Sequence, residues 1–320
     1  MLRTGVLKEI NEKFSLTKQD PIAISGDAVV SEVPVISTGL PSLDIALGRG
    51  LPLGRVVEIF GPAASGKTSL ALQLCKAMQA TGEDVVYIDA EHAINVSWLN
   101  TTLDPSRYTL VHPHFGEAAT DVALAVITGG AGLVVIDSVP ALTPKAEYES
   151  SMEEHTRGAL ARMMGQFMRK VAPLVFHSGT VLVMINQIRS NMSPYGNPET
   201  TPGGKALEYA ASLRLRVKKD EDIKQGTEVI GQRSSVSVVK NKVATPRRVA
   251  QFDLLYSSGI DTLASLLDAS ETLGVTAKKG AWITFGDVQW QGKEKAKYAL
   301  VSDTRLLFDL TVAVQERLSQ

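Results

Sequence analysis

Apolar residues in this chain fall into short blocks. Positions 56–60, 85–89, 109–112, 133–137 and 181–186 are brief, mostly apolar runs. They are too short for helices and suit strands buried on both faces. Between them the spacing becomes helical over 68–80, 116–128 and 156–172. This βα alternation predicts an α/β fold, a mostly parallel twisted sheet with helices on both faces. Farther on, 213–219, 235–240 and 249–256 alternate apolar and polar positions, the pattern of a more exposed extension of the sheet.

The two ends read differently. Leu2, Val6, Ile10 and Phe14 stand four apart and predict a short amphipathic helix. Such a helix needs a second surface over its stripe, its own core or a neighbouring subunit. Residues 20–32 read as a linker holding a short strand at 22–24. After Ser257, Ser258 and Gly259 comes a small α+β pattern: a helix over 260–273, a hairpin over 282–290 turning at Gly286 and Asp287, and a final helix near 302–318. The expected organisation is therefore a helix and linker at 1–32, a core at 33–258, and a small C-terminal domain at 259–320.

Composition narrows the classes. Lys and Arg total 33 against 34 Asp and Glu, a net charge of −1, so contacts with nucleic acid must come from local clusters. The lone cysteine, Cys75, excludes an intrachain disulfide and a multi-cysteine zinc site. No apolar run approaches the length of a membrane span, and the first residues lack a signal-peptide core. A cytoplasmic protein without a membrane partner is expected.

Gly61, Pro62, Ala63, Ala64, Ser65, Gly66, Lys67 and Thr68 match G-x-x-x-x-G-K-[ST] between a predicted strand and a predicted helix that opens at Ser69. That context makes a phosphate-binding loop. The glycines let successive N–H groups point inward at phosphate oxygens, and the helix N-terminus adds partial positive charge. Lys67 can reach the outer phosphates and Thr68 can ligate Mg²⁺. The run 133–137 ends in Asp137, a carboxylate suited to the Mg²⁺ shell. The run 85–89 leads to Glu91, placed to orient and deprotonate an attacking water; Asp89 fits a capping role. The run 181–186 ends in the amides Asn186 and Gln187, and an amide there can sense a terminal phosphate.

These motifs and their order resemble the bacterial RecA recombinase family. The matching segments are 36–48 (ISTGLPSLDIALG), 87–93 (YIDAEHA), 136–147 (IDSVPALTPKAE), 161–164 (ARMM), 185–189 (INQIR), 196–201 (GNPETT) and 238–242 (VVKNK). The resemblance is strong over 33–258. It implies a P-loop NTPase core of RecA type and a DNA-dependent ATPase that forms a filament on single-stranded DNA. Such an enzyme catalyses homologous pairing with duplex DNA and strand exchange, with ATP and Mg²⁺. It also implies roles: Glu91 activates water, Gln187 senses the γ-phosphate, Trp98 stacks on adenine, and Lys240 and Lys242 reach the ATP of the neighbouring subunit. Asn95 stands where the family usually has an acid on the adenine amino group, and its carbonyl oxygen can serve. The N-terminal helix would pack on the adjacent subunit, and a repressor undergoing self-cleavage is a further implied partner.

The segments 147–157 and 190–195 resemble the family's DNA-binding loops. Arg162 and Arg169, seven apart on one helix face, suit phosphates, as do Arg189 and Lys205. Gly203 and Gly204 offer backbone N–H groups at a helix start, and Met192 is a candidate wedge between bases. Such contacts fix position without reading sequence. Ala63 and Ala64 replace more polar loop residues without touching its backbone function. Ser235 and Ser237 stand where relatives often carry basic residues for a second DNA site; Lys218, Lys219, Arg247 and Arg248 are candidate substitutes. Lys278, Lys279, Lys293, Lys295 and Lys297 would suit duplex DNA or form a solvated surface. The chain ends at 316–320 without an acidic tail, and the expectation is less restrained loading on DNA. The setting expected is the bacterial cytoplasm, or an infected host cell for a phage-encoded member. The alternatives are a ring-forming translocase or helicase on the same core, and a small-molecule kinase.

Overall fold

The structure, a computed structural model, describes residues 4–15, 23, 32–151, 158–190 and 199–319. The chain forms two units, Met1–Pro34 and Val35–Gln320. In the first, α1 (Thr4–Phe14) carries the expected amphipathic pattern, with Val6 exposed and Ile10 half-buried. The Asn11 side chain both donates to and accepts from the Ala23 backbone, each bond 2.8 Å long. The expected strand at 22–24 lies outside the described residues except for Ala23.

The second unit begins with β1 (Val35–Ile36), α2 (Pro41–Leu47) and β2 (Leu51–Pro52). Pro41 opens α2 and Gly48 closes it at φ 80°, the usual start and stop pair for a helix. The α/β run follows: β3 (Val56–Gly61), α3 (Lys67–Ala80), β4 (Val85–Asp89), α4 (Val96–Thr102), β5 (Tyr108–Val111), α5 (Gly116–Thr128) and β6 (Leu133–Asp137). It continues through α6 (Lys145–Tyr148), α7 (Ala159–Ser178), β7 (Val181–Gln187), β8 (Arg189–Ser190), β9 (Glu199–Thr200) and α8 (Lys205–Ala210). Strands β10 (Leu213–Gln225), β11 (Glu228–Asn241), β12 (Val249–Leu255) and β13 (Gly259–Ile260) complete the sheet. Last come α9 (Thr262–Thr272), β14 (Ala277–Lys279), β15 (Trp282–Phe285), β16 (Val288–Gln291), α10 (Lys293–Ser302) and α11 (Thr304–Ser319).

The main sheet has the order β13-β12-β11-β10-β3-β7-β6-β4-β5. From β10 to β5 neighbours run parallel; β10 to β13 run antiparallel. Side-chain alternation splits the core. Val57, Ile59, Val85, Tyr87, Leu133, Val135 and Val183 pack with Leu70 and Leu74 of α3. Val56, Ile88, Val134, Ile136 and Met184 pack with Ala119 and Ala123 of α5 and Phe167 and Val171 of α7. Both faces of these strands are buried, which is why they read as continuous apolar runs rather than alternating ones. A third cluster, including Leu266, Leu267, Trp290, Leu300, Leu310 and Val314, gathers α9, the β14–β16 sheet, α10 and α11.

Several elements differ from the sequence reading. Helix α7 continues through Pro173 to Ser178. Proline removes one helical bond, but Pro173 is exposed, and buried Val171 and Val175 carry the apolar stripe past it. The β10–β11 hairpin reaches well beyond the alternating segments, because its outer half is mostly polar and, even where β11 is buried, carries no alternating apolar code. The expected final helix near 302–318 is α11, but a further helix, α10, precedes it; α10 was hidden because only Ala296 and Leu300 on it are buried.

Candidate functional site

Chain order places β3 beside β7 and β10, while the chain leaves β3 for β4, two strands beyond β7. Such a reversal opens a crevice at the carboxyl ends of the strands. The phosphate loop lies there, between β3 and α3. Gly61 tolerates no side chain, since a Cβ would meet Val217 O at 2.1 Å, and Gly66 turns at φ 98°. Ala64 also takes a positive φ of 56°, a conformation that costs a non-glycine residue energy. Two side chains of β11 brace the loop from behind. Gln232 Nε2 donates to Ala64 O at 3.1 Å, and Ser234 Oγ donates to Ser65 O at 3.0 Å.

The loop fits an anion. Ser65 Oγ is buried with no partner among the described residues. Lys67 Nζ donates to Pro62 O at 2.6 Å, turned into its own loop, and burial lowers its pKa. A hydroxyl unpaired among the described residues and a buried ammonium hydrogen-bonded to a carbonyl are groups a phosphate would satisfy. A cavity of about 440 Å³ is lined by Ala64, Ser65, Gly66, Lys67, Thr68, Ser69, Gln232, Leu254 and Tyr256. Thr68 Oγ1 donates to Asp137 Oδ2 at 2.9 Å. Burial raises the Asp137 pKa, opposed by bonds from Tyr87 and Thr68. One hydroxyl and one carboxylate suit Mg²⁺, an ion bound through one or two carboxylates plus substrate phosphates.

Glu91, Gln187 and Ser138 converge beside this pair. Glu91 is exposed at the end of the β4 segment, and its backbone N–H donates to Asp137 O at 3.2 Å. Its carboxylate accepts a close hydrogen bond from Ser138 Oγ and one from Gln187 Nε2 at 3.3 Å. Asp89 is buried and accepts from Ala93 and Ile94 N–H, fixing the loop that carries Glu91. Asn186 does not join the group. It is fully buried, donating to Glu58 Oε1 and Pro202 O, while its oxygen accepts from Gln187 N.

Trp98 lines a second cavity of about 210 Å³ with Ser69, Gln73, Lys76 and residues 257–260. Ser69 lines both cavities. Asn95 caps α4, its Oδ1 accepting from Ser97 and Trp98 N–H at 2.9 and 3.2 Å. Lys240 Nζ donates to Glu208 O and Tyr209 O at 2.6 and 3.2 Å, and Lys242 Nζ donates to Tyr209 O at 3.0 Å. Both cations therefore meet the C-terminal end of α8, where carbonyls attract positive charge. Lys240 has its pKa lowered by burial and by Lys242 and Arg214 nearby.

Arg162 and Arg169 are exposed on α7, and Arg189 is exposed on β8, which pairs with β9 across the foot of the loop 191–198. Met192 lies outside the described residues, as does 152–157. Gly203 and Gly204 take φ of 89° and 72°, where a Cβ would meet Val139 and Met164 at the first and Ala161 at the second; exposed Lys205 opens α8. In the C-terminal region Lys278 pairs with Glu271, Lys293 with Asp268, and Lys297 with Asp261 and Glu294, which neutralises part of that basic set. Ser235 donates to Asp220, so acid rather than base stands at that point.

Sequence reasoning missed Tyr87, Ser138, Gln232, Ser234 and Tyr256, each of which meets the loop, its carboxylates or its cavity. It also missed a buried polar chain. Glu58 on β3 holds Arg214 of β10 at 2.5 Å, and Arg214 also pairs with Glu208 and lies over the Phe60 ring. Glu58, a charge within an apolar strand, was the one available signal.

A family model described as the RecA N-terminal domain matches residues 3–261. The chain is 41% identical over 321 residues to "Protein RecA" of Chloroherpeton thalassium, covering 98% of this chain and 90% of that protein. It is 43% identical over 319 residues to "Protein RecA" of Frankia casuarinae, covering 98% and 92%. To "Protein RecA" of Acidothermus cellulolyticus it is 44% identical over 298 residues, covering 92% and 86%.

Proposed function

The chain belongs to the bacterial RecA family, and from that premise we propose how its residues divide the work of a recombinase. It is a DNA-dependent ATPase of recombination and repair that binds DNA and assembles with copies of itself. The observation that carries the residue assignment is the convergence of Gln187 and Ser138 on the Glu91 carboxylate beside the Thr68–Asp137 pair.

The loop N–H groups, Ser65 and Lys67 hold the phosphates, and Thr68 and Asp137 hold the cation. Mg²⁺ held there would neutralise charge on the phosphates. Glu91 accepts the proton of the attacking water, while Gln187, at hydrogen-bond distance from Glu91, touches the γ-phosphate. One residue, Ile188, separates Gln187 from Arg189 at the start of β8, so movement of Gln187 reaches the DNA loop through Arg189. Adenine lies near Ser69, which lines both cavities, with Trp98 on one and Tyr256 on the other. The Asn95 oxygen, expected on the adenine amino group, already accepts two N–H bonds as the cap of α4, so in this reading the amide meets the base through its NH₂. Lys240 and Lys242 leave the end of α8 to meet the ATP of the next subunit.

Arg162, Arg169, Arg189, Lys205 and the N–H groups of Gly203 and Gly204 follow the DNA backbone, and Met192 separates bases. Homologous duplex is the second DNA partner, and a repressor that cleaves itself on the filament is a third. The DNA substrate sets the compartment, the bacterial cytoplasm; among the described residues no helix is long and apolar enough to cross a membrane. The third apolar cluster supports 259–320 as a small domain appended to the ATPase core at 33–258. Hydrolysis measured with and without single-stranded DNA tests the reading. Strong stimulation is expected, and a rate indifferent to DNA would overturn it.

A further inference from the structure

Tyr87 touches the centre of this site without having a part in the steps above. It stands opposite Val135 in the β4–β6 pairing and is 0% exposed, packed in the cluster that contains Leu70, Leu74 and Cys75 of α3. A phenylalanine would satisfy that apolar position, whereas a buried phenol requires a hydrogen-bond partner. Its hydroxyl donates to Asp137 Oδ2 at 2.6 Å, the same oxygen that accepts from Thr68 at 2.9 Å. Two donors on one oxygen fix the rotation of the carboxylate. Among the described residues neither of these bonds engages Oδ1. Thr68 has two tasks once a cation is held, while Tyr87, in the strand layer, serves Asp137 alone.

We infer that Tyr87 is a positioning residue for the divalent cation: its hydroxyl locks the Asp137 carboxylate by one oxygen and leaves the other for the metal's ligand shell. This deepens the assignment of Thr68 and Asp137 to the metal and rests on it. Groups that orient a metal ligand typically change metal affinity by about 10–100-fold when removed.

The test is Tyr87→Phe, which deletes one oxygen and keeps the ring. Mn²⁺ affinity is measured by electron paramagnetic resonance with a nonhydrolysable ATP analogue bound, and analogue affinity is measured separately in excess chelator. The expected result is Mn²⁺ binding weakened about tenfold with metal-free analogue binding unchanged. Mn²⁺ affinity within twofold of wild type, or an equal loss in both measurements, would overturn the inference. Asp137→Asn separates the two levels. If it weakens Mn²⁺ binding while Tyr87→Phe does not, only the role of Tyr87 falls. If it leaves Mn²⁺ binding intact, the metal assignment falls, and the inference with it.

Discussion

Glu91 and Asp137 lie side by side, yet their surroundings set them different tasks. Glu91 is exposed and held by two side-chain donors, as a group that must meet water and exchange a proton should be. Glu91→Gln keeps the shape and removes the base. Hydrolysis should fall about 10²–10⁴-fold while nucleotide binding, followed by fluorescence, stays near wild type. Asp137 is buried, and burial raises its pKa above the ordinary 3.8. Relative to the unfolded chain, the folded protein without nucleotide disfavours the ionised form, so ionised Asp137 subtracts stability above its folded pKa. That penalty disappears as the pH falls through it. Asp137→Asn, whose oxygen can still accept from Thr68 and Tyr87, should raise the melting temperature of the nucleotide-free protein at neutral pH. The gain should shrink on acidification, and a gain constant with pH would contradict this account.

Among the elements, the phosphate loop depends on a strand that the motif does not mention. Gln232 and Ser234, both buried on β11, hold the carbonyls of Ala64 and Ser65. Removing either bond costs about 1 kcal/mol, and Gln232→Ala should weaken nucleotide binding several-fold in a titration without abolishing it. Helix α7 offers a converse case. Pro173 is exposed within it and withholds one bond from the ladder, so Pro173→Ala should stabilise the protein by about 1–3 kcal/mol, read by chemical denaturation. The strands that carry Asp137 and Gln187 were legible because burial on both faces writes itself as an apolar run. The loop was legible because glycine, lysine and threonine occur there at fixed local spacing. Gln232, Ser234 and Tyr87 were not, since each acts across the sheet on a residue far away in sequence and follows no local period. Helices α2, α4 and α10 were missed for a related reason: they are short, or bury too few residues to show a stripe.

At the scale of the whole molecule, a buried polar chain runs from the nucleotide strands towards the basic pair. Asn186 and Arg214 both hold Glu58, Arg214 reaches Glu208 on α8, and Lys240 rests on the carbonyls of that helix. Breaking a buried pair by removing one partner costs about 3–5 kcal/mol. Arg214→Met should therefore destabilise the fold by that order in denaturant unfolding. The lysines now lie against their own chain, and the account requires them to act on a neighbour. The most direct measurement is DNA-stimulated ATP hydrolysis by Glu91→Ala and Lys240→Ala proteins, assayed separately and mixed. The account predicts two inactive proteins that regain partial activity together, because some interfaces then pair an intact Glu91 with an intact Lys240 from the next subunit. Two proteins that stay inactive when mixed, while still assembling on DNA, would contradict a site shared between subunits.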